Sequence, residues 1–263
     1  MMKRIAALLM LCASGIAAAG EPALSQAAPT AKEMAGQMRQ AQRSAGFMVR
    51  MNVAATAADG RHLVPFKLAV IGQNEADRQR LLVRGIAPEA VRDRQFAVQR
   101  NTAGGIRAFG YGGKDKPDAE ISPQARLFDS GMTLWDMLSP WWDWPAQKLT
   151  GAGQVGGKAC TLIESLAPKG DPAISRVVSC VALDSGLVLQ TEVYDGRNKL
   201  LRTLTVKATM RRESGALAAK RLTLSEADHA RSEIEIYSGD ENYQAGAETF
   251  SKLDALCAVP QPR

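Results

Sequence analysis

Apolar residues in this chain recur at every second position, segment after segment, and that period restricts the fold to extended strands. The first run is Phe47, Val49, Met51 and Val53 set against Met48, Arg50 and Asn52. Successive strand side chains point to opposite faces, so this pattern makes a half-buried strand. Comparable segments follow at Phe66 to Ile71, Arg80 to Ile86, Gln95 to Arg100, Ile106 to Tyr111, Ala159 to Leu166 and Ile174 to Leu183. Leu187 to Tyr194, Leu200 to Arg211, Leu217 to Ser225 and Ser232 to Tyr237 complete the series. Turn formers stand between them, among them Gly72-Gln73-Asn74-Glu75, Thr102-Ala103-Gly104-Gly105 and Asp195-Gly196-Arg197-Asn198. About ten strands at this spacing, without helical crossovers, predict a mainly β chain built on one large antiparallel sheet or barrel.

Two segments depart from the period. Thr30 to Ala45 is rich in helix formers, with Met34, Met38 and Ala41 at helical spacing and Thr30 and Glu33 placed for a capping box. Met132 to Trp144 holds all four tryptophans, Trp135, Trp141, Trp142 and Trp144. Its first half reads as helix, and Pro140 and Pro145 limit any helix there to short pieces. A sheet closed on one side by a leading helix and a short aromatic insertion makes a half-open container.

The first residues set the compartment. Met1-Met2-Lys3-Arg4, an apolar run from Ile5 to Ile16 and Ala17-Ala18-Ala19 form the charged, apolar, small-residue order of a secretory signal peptide, residues 1–19. Cleavage is expected after Ala19 or Gly20, leaving an Ala/Pro/Ser-rich flexible leader over 20–29 and one domain over 30–263. Cys12 follows Leu11 in the middle of the apolar run, so no lipid anchor is expected there. The apolar run is too short to span a bilayer comfortably, and no later stretch is longer, so the mature chain is expected in the periplasm with no transmembrane segment. Removing Lys3 and Arg4 lowers the formal charge from +6 to +4. The remaining basic residues, such as Arg78, Arg80, Arg84, Arg92, Arg94 and Arg100, are spread along strands without the basic stripe and aromatic platforms that nucleic acid requires. A mildly positive surface suits anionic lipid or an acidic partner, and solubility alone also accounts for it.

Three cysteines remain after export: Cys160, Cys180 and Cys257. Folding Ala159–Leu166 and Ile174–Leu183 as a hairpin about Pro168-Lys169-Gly170-Asp171-Pro172 brings Cys160 near Cys180, the preferred disulfide. Cys257 is then free, or pairs in place of one of them, since sequence does not fix connectivity. With His62 and His229 the only histidines, no metal site is expected.

Signals for catalysis are weak. Asp-Ser-Gly occurs twice, at Asp129-Ser130-Gly131 and Asp184-Ser185-Gly186, after a hydrophobic residue as in aspartic proteases. Met132 and Leu187 replace the usual small residue after the glycine, and Asp-Ser-Gly is an ordinary turn sequence. There is no Gly-x-Ser-x-Gly elbow, and neither Gly104-Gly105 nor Gly151-Ala152-Gly153 matches a phosphate loop. Neither an enzyme nor a cofactor is expected.

The stretch from Phe128 to Tyr243 resembles the outer-membrane lipoprotein-sorting family, distant relatives of the periplasmic Lol lipoprotein carriers. Phe128-Asp129-Ser130-Gly131-Met132-Thr133-Leu134-Trp135-Asp136 stands in the place of that family's hydrophobic segment ending in an aromatic–Asp pair. Leu149-Thr150-Gly151 with Val155-Gly156-Gly157-Lys158-Ala159-Cys160-Thr161-Leu162 is similar to its strand entry. Arg176-Val177, Leu183-Asp184, Glu192-Val193-Tyr194-Asp195 and Leu200-Leu201-Arg202 follow in the family's order. Val188-Leu189-Gln190 departs from its Pro-x-Arg, and Ile106-Arg107-Ala108-Phe109-Gly110 departs from its Trp-x-Tyr-x-Pro.

The resemblance implies a curved antiparallel sheet forming an incomplete β-barrel with an N-terminal helix and short lid helices, as in LolA and LolB. It also implies a carrier or chaperone that reversibly holds lipid or lipoprotein acyl chains, with inner- or outer-membrane transport or envelope proteins as further partners. Trp135, Trp141, Trp142 and Trp144, with Met132 and Met137, suit a mobile lid, and they equally suit a plain cap on the core. Phe47, Met51, Leu68, Val70, Leu82 and Phe96 are candidates for the trough wall, or for a closed dry core. A non-catalytic periplasmic protein-binding or regulatory module on the same fold is the alternative.

Overall fold

The computed structural model describes residues 29–42, 46–101, 105–111, 118–168, 173–212 and 214–258. The expected signal peptide and nearly all of the leader lie outside these residues, as do the loop at 112–117 and the turn at 169–172. The chain begins with helix α1 (Ala31–Gln42). The capping box forms: the Thr30 N–H and hydroxyl donate to the Glu33 carboxylate at 2.7 and 2.8 Å, and the Glu33 N–H donates to Thr30 Oγ1 at 3.3 Å.

Thirteen strands follow: β1 (Gly46–Thr56), β2 (Phe66–Asn74), β3 (Arg78–Ala87), β4 (Gln95–Asn101), β5 (Ile106–Tyr111), β6 (Ala119–Ile121) and β7 (Ala146–Val155). β8 (Lys158–Leu166), β9 (Arg176–Val181), β10 (Val188–Tyr194), β11 (Leu200–Arg211), β12 (Leu217–Glu226) and β13 (Arg231–Asp240) complete one sheet. Its order is β6-β5-β4-β3-β2-β1-β13-β12-β11-β10-β9-β8-β7, antiparallel throughout, so among the described residues β6 and β7 are the edge strands and the curved sheet does not close into a barrel.

Directly opposed residues in an antiparallel ladder share a face, so the register sorts the side chains. Val49, Val70, Val83 and Phe96 form one row, Met51 and Leu68 a second, and Val53 and Phe66 a third. This inner face carries α1, helix α3 (Leu134–Leu138) and the 3-10 turn Pro140–Asp143. The opposite face carries Ile71, Leu82, Ala97 and Phe109, covered by Phe250 and by Leu253 of helix α4 (Ser251–Ala258). Buried Arg80 anchors α4 there, pairing with Asp254 at 2.6 Å and with Glu75. Short helix α2 (Glu89–Arg92) lies so close to β3 that a Cβ on Gly85 would overlap the Val91 carbonyl, which is why that strand position has no side chain.

β8 and β9 are neighbours, and the expected disulfide joins them: Cys160 and Cys180 are bonded with Cα atoms 5.4 Å apart, in a small cluster with Ala182 and Leu189. Cys257 is a free thiol, pushed up in pKa by burial.

Candidate functional site

The inner face is filled at one end and only half covered at the other. Leu127, Phe128, Met132, Leu134 and Leu138 fill the closed end, against Phe66, Leu68, Val70, Leu81, Val83 and Val98. The first Asp-Ser-Gly motif makes the turn that aims this insertion inward. Ser130 returns both its N–H (2.9 Å) and its hydroxyl (2.7 Å) to the Leu127 carbonyl, and the Gly131 N–H donates to Ser232 Oγ at 3.2 Å. Phe128 accepts a left-handed backbone, φ 53°, because its ring is held 5.2 Å from Phe66 and 5.1 Å from Phe96. Asp129 points outward, 3.5 Å from Arg94, while in the second motif Ser185 bonds its neighbour Asp184. Both motifs are turns, and the two carboxylates share no site.

Trp135, Trp141 and Trp142 are buried and Trp144 is half-buried, packed on Met34 and Met38 of α1 and on Ile163, Val177 and Val193. Trp135 lies 5.1 Å from Trp141 and 6.2 Å from Trp144, centroid to centroid. The aromatic insertion is therefore the wall between α1 and the sheet, with its indoles in the core. Arg39 of α1 and Arg100 of β4 both pair with Asp143, tying the 3-10 turn to helix and sheet.

One ion pair, Asp136 with buried Arg202, is nearly enclosed beside that wall. Asp136 stands in the first turn of α3, where the Thr133 hydroxyl accepts its N–H at 3.0 Å and donates to its Oδ2 at 2.8 Å. Its Oδ1 accepts from Arg202 Nε at 2.9 Å, and the Arg202 guanidinium lies over Trp135 at 5.6 Å. Burial pushes the Asp136 carboxyl up; the Arg202 charge and the two hydrogen bonds oppose that push.

Away from the insertion the inner face changes character. Val53, Ile234, Leu222 and Val206 lie directly opposite one another across β1, β13, β12 and β11. Val53 and Ile234 are buried, whereas Leu222 and Val206 are only half-buried. Met51 with Ile236, then Val49 and Phe47, extend this half-buried apolar surface along β1 and β13. Phe47 lies over Gly72, leaving no room for a side chain there. The surface is continuous with the closed end and carries no hydrogen-bonding side chain among the residues just named, so it suits an apolar ligand bound by shape and burial.

The residues singled out from sequence fall on this face in two adjoining clusters. Phe47, Met51, Leu68, Val70, Phe96 and Met137 belong to the first, and the four tryptophans to the second; Ile106 packs against both. Leu82 alone points the other way, into the cluster under α4. Val206, Leu222 and Ile236 complete the surface. The alternation of Leu204, Val206, Ala208 and Met210 marks β11 as half-buried, yet nothing in that period tells which residues stay uncovered.

A second hollow, about 300 Å³, opens on the outer face between α4 and the sheet, lined by Arg84, Asp93, Gln95, Tyr111, Glu248 and Lys252. Its charges are mixed, and burial pushes the Tyr111 hydroxyl up to about 12. His62, 3.2 Å from Thr56 Oγ1, and His229 are both exposed, and no carboxylate among the described residues orients either. Among the described residues no group of three or more His, Cys, Asp or Glu gathers as metal ligands, and no helix is long and apolar enough to cross a membrane.

Three solved structures share this architecture. A DUF1329 family protein from Desulfovibrio piger ATCC 29098 superimposes with a TM-score of 0.76 at 17% identity, covering 85% of this chain and 97% of its own. A domain named for outer membrane lipoprotein sorting, from Vibrio parahaemolyticus, gives 0.72 at 15% identity, covering 84% and 96%. A LolA superfamily protein from Nitrosomonas europaea gives 0.68 at 14% identity, covering 86% and 100%. No curated protein matches. Residues 77–253 match the profile of a family described as uncharacterized protein; the chain belongs to that family, and its fold is the LolA-like half-barrel.

Proposed function

We propose that this protein is a periplasmic carrier or chaperone that reversibly holds the acyl chains of lipid or lipoprotein on the inner face of its open sheet. The observation that carries this reading is the half-covered apolar surface formed by Phe47, Val49, Met51, Val206, Leu222 and Ile236. Burying about ten methylenes there is worth roughly 8 kcal/mol before ordering costs, enough for reversible binding without a covalent step. Leu68, Phe96 and Met137 belong to the core cluster against which Phe47, Val49, Met51 and Leu222 pack; Trp135, Trp141, Trp142 and Trp144 form the adjoining cluster under α1 and are assigned to the lid side of the carrier. The two relatives named for lipoprotein sorting and for the LolA superfamily lend the same reading support by analogy of fold. Export fits the buried Cys160–Cys180 disulfide, a bond that persists in an oxidising compartment.

The test is uptake of a fluorescent fatty acid by the exported chain. Leu222→Asp with Ile236→Asp is expected to abolish uptake in a chain that still folds by circular dichroism, with a lowered urea midpoint because Leu222 packs against the core. Uptake unchanged in that variant would remove the surface from consideration. The outer edge of β7, ten residues long and mostly exposed, favours a second reading, a protein-binding module that adds a partner strand. A chain that takes up no acyl probe but captures an extended envelope peptide at β7 would select it.

A further inference from the structure

The hollow on the outer face lies across the sheet from the apolar surface and has a different chemistry. The ladder register sets Arg84, Gln95 and Tyr111 side by side on β3, β4 and β5, and buried Leu82, two residues before Arg84, forms the floor. Adjacent strands are about 4.8 Å apart, so this row spans roughly 10 Å. Asp93 at the end of α2, Glu248 and Thr249 in the 3-10 turn Ala247–Thr249, and Lys252 in the first turn of α4 complete the lining. At about 300 Å³ the hollow stands at the small end of ligand sites.

Elsewhere on this face opposite charges close on one another. Arg80 pairs with Asp254 and Glu75, Arg107 with Glu120 at 2.9 Å, and Lys252 with Asp118 at 2.8 Å while its ammonium lies 4.5 Å from the Tyr111 ring centre. Inside the hollow they do not close. Arg84, Asp93 and Glu248 make no ion pair within 4.0 Å and no side-chain hydrogen bond among the described residues. The Gln95 amide and the Tyr111 and Thr249 hydroxyls likewise bond to no described residue. Tyr111 keeps its proton, since burial pushes its pKa up to about 12, and the nearby Arg84 charge opposes that rise.

Unpaired charges of both signs therefore stand around one small hollow. A purely anionic ligand would meet Asp93 and Glu248, and a purely cationic one would meet Arg84. A ligand carrying both signs satisfies all three, and Arg84 offers a carboxylate two parallel N–H donors. The row leading out of the hollow toward β1 runs through Ala69 to exposed Arg50, with exposed Lys67 beside it, and gives an acyl tail no apolar bed. We propose that this hollow binds a small zwitterion, an amino acid or short peptide with free ends: Arg84 receives the carboxylate, and Asp93 with Glu248 receives the ammonium. Two extended residues reach about 7 Å, so a dipeptide fits within the row. The site stands or falls independently of the carrier reading.

The experiment titrates the protein with alanine, alanyl-alanine, N-acetyl-alanyl-alanine and alanyl-alanine amide, following backbone amide NMR shifts. Saturable shifts are expected at Gln95, Tyr111 and Thr249 with alanine or alanyl-alanine, and the acetylated and amidated peptides should each bind about tenfold more weakly than the free one. Arg84→Gln should erase the difference between alanyl-alanine and its amide. Asp93→Asn with Glu248→Gln should erase the difference between alanyl-alanine and its acetylated form. All three positions are exposed, so these variants keep the fold. Tighter binding of alanine assigns the site to free amino acids and tighter binding of the dipeptide to peptide ends, and either supports the proposal. No saturable shift with either probe, or blocked peptides that bind as tightly as the free one, would overturn it. Tighter binding of phosphoethanolamine would also overturn it, by giving Arg84 a phosphate in place of a carboxylate.

Discussion

Replacing Arg202 by Met should destabilise the protein strongly at neutral pH and far less in acid. Arg202 is buried and supplies both the hydrogen bond and the opposite charge to Asp136, whose side chain is 13% exposed between α3 and β11. Removing one partner of such a pair leaves the other charge buried alone, at a cost of about 3–5 kcal/mol. A further loss of about 1 kcal/mol comes from the stack on Trp135. Glu226, opposite Arg202 in the ladder, keeps Arg126 at 3.0 Å and so adds little. Burial already raises the Asp136 pKa above the ordinary carboxylate value, and loss of Arg202 raises it further. A raised folded-state pKa means the protonated carboxyl is the one the fold accepts. The penalty is therefore absent below the ordinary carboxylate range and grows as pH rises through the folded-state value.

Urea unfolding of wild type and variant at pH 7.5 and pH 4 measures the difference at each pH. The expected loss is about 4 kcal/mol at the higher pH and under about half of that at the lower. Asp136→Asn added to Arg202→Met should recover stability at pH 7.5, since Thr133 still caps the neutral side chain. An Arg202→Met cost that is equal at both pH values, or a double variant no more stable than the single, would refute the account of this buried pair.

Two further outcomes concern the supports of the face. Cys160→Ala with Cys180→Ala removes a cross-link between residues 20 apart in sequence, and should lower the unfolding free energy by about 3 kcal/mol in urea titration. Arg80→Met removes the cation that Asp254 and Glu75 share, and hydrogen exchange should quicken across Ser251–Ala258 while the β1–β2 ladder keeps its protection.

What the sequence made legible, and what it did not, follows from how each element is buried. β1 was readable because Phe47, Val49, Met51 and Val53 all face one way and Arg50 and Ala54 reach solvent. The helix start was readable because the Thr30–Glu33 box is local chemistry. The cysteine pair followed from a hairpin drawn in sequence, because β8 and β9 are neighbours in both senses. β7 gave no such signal: as an edge strand with Gly151 and Gly153 it is exposed on most of its length, so no alternation develops. β6 is three residues long, too short for a period. α4 is set by Phe250 and Leu253 meeting Leu82 and Phe109 from distant strands, a contact no local pattern announces. For the tryptophans, composition showed a large apolar payload, but only the packing of Met34, Met38 and Ile163 around them made that payload a wall. The uncovered row was least legible. Val206, Leu222 and Ile236 look like any other inward residues, and only their half-exposure in the fold sets them apart from their buried neighbours Val53 and Ile234.

The most direct test of the carrier reading is native mass spectrometry of the gently purified protein, followed by lipid extraction. A bound acyl lipid is expected on the wild type and absent from the Leu222→Asp, Ile236→Asp variant, with both chains folded by circular dichroism. A wild-type protein that emerges free of lipid, and stays so after incubation with anionic phospholipid, would contradict it.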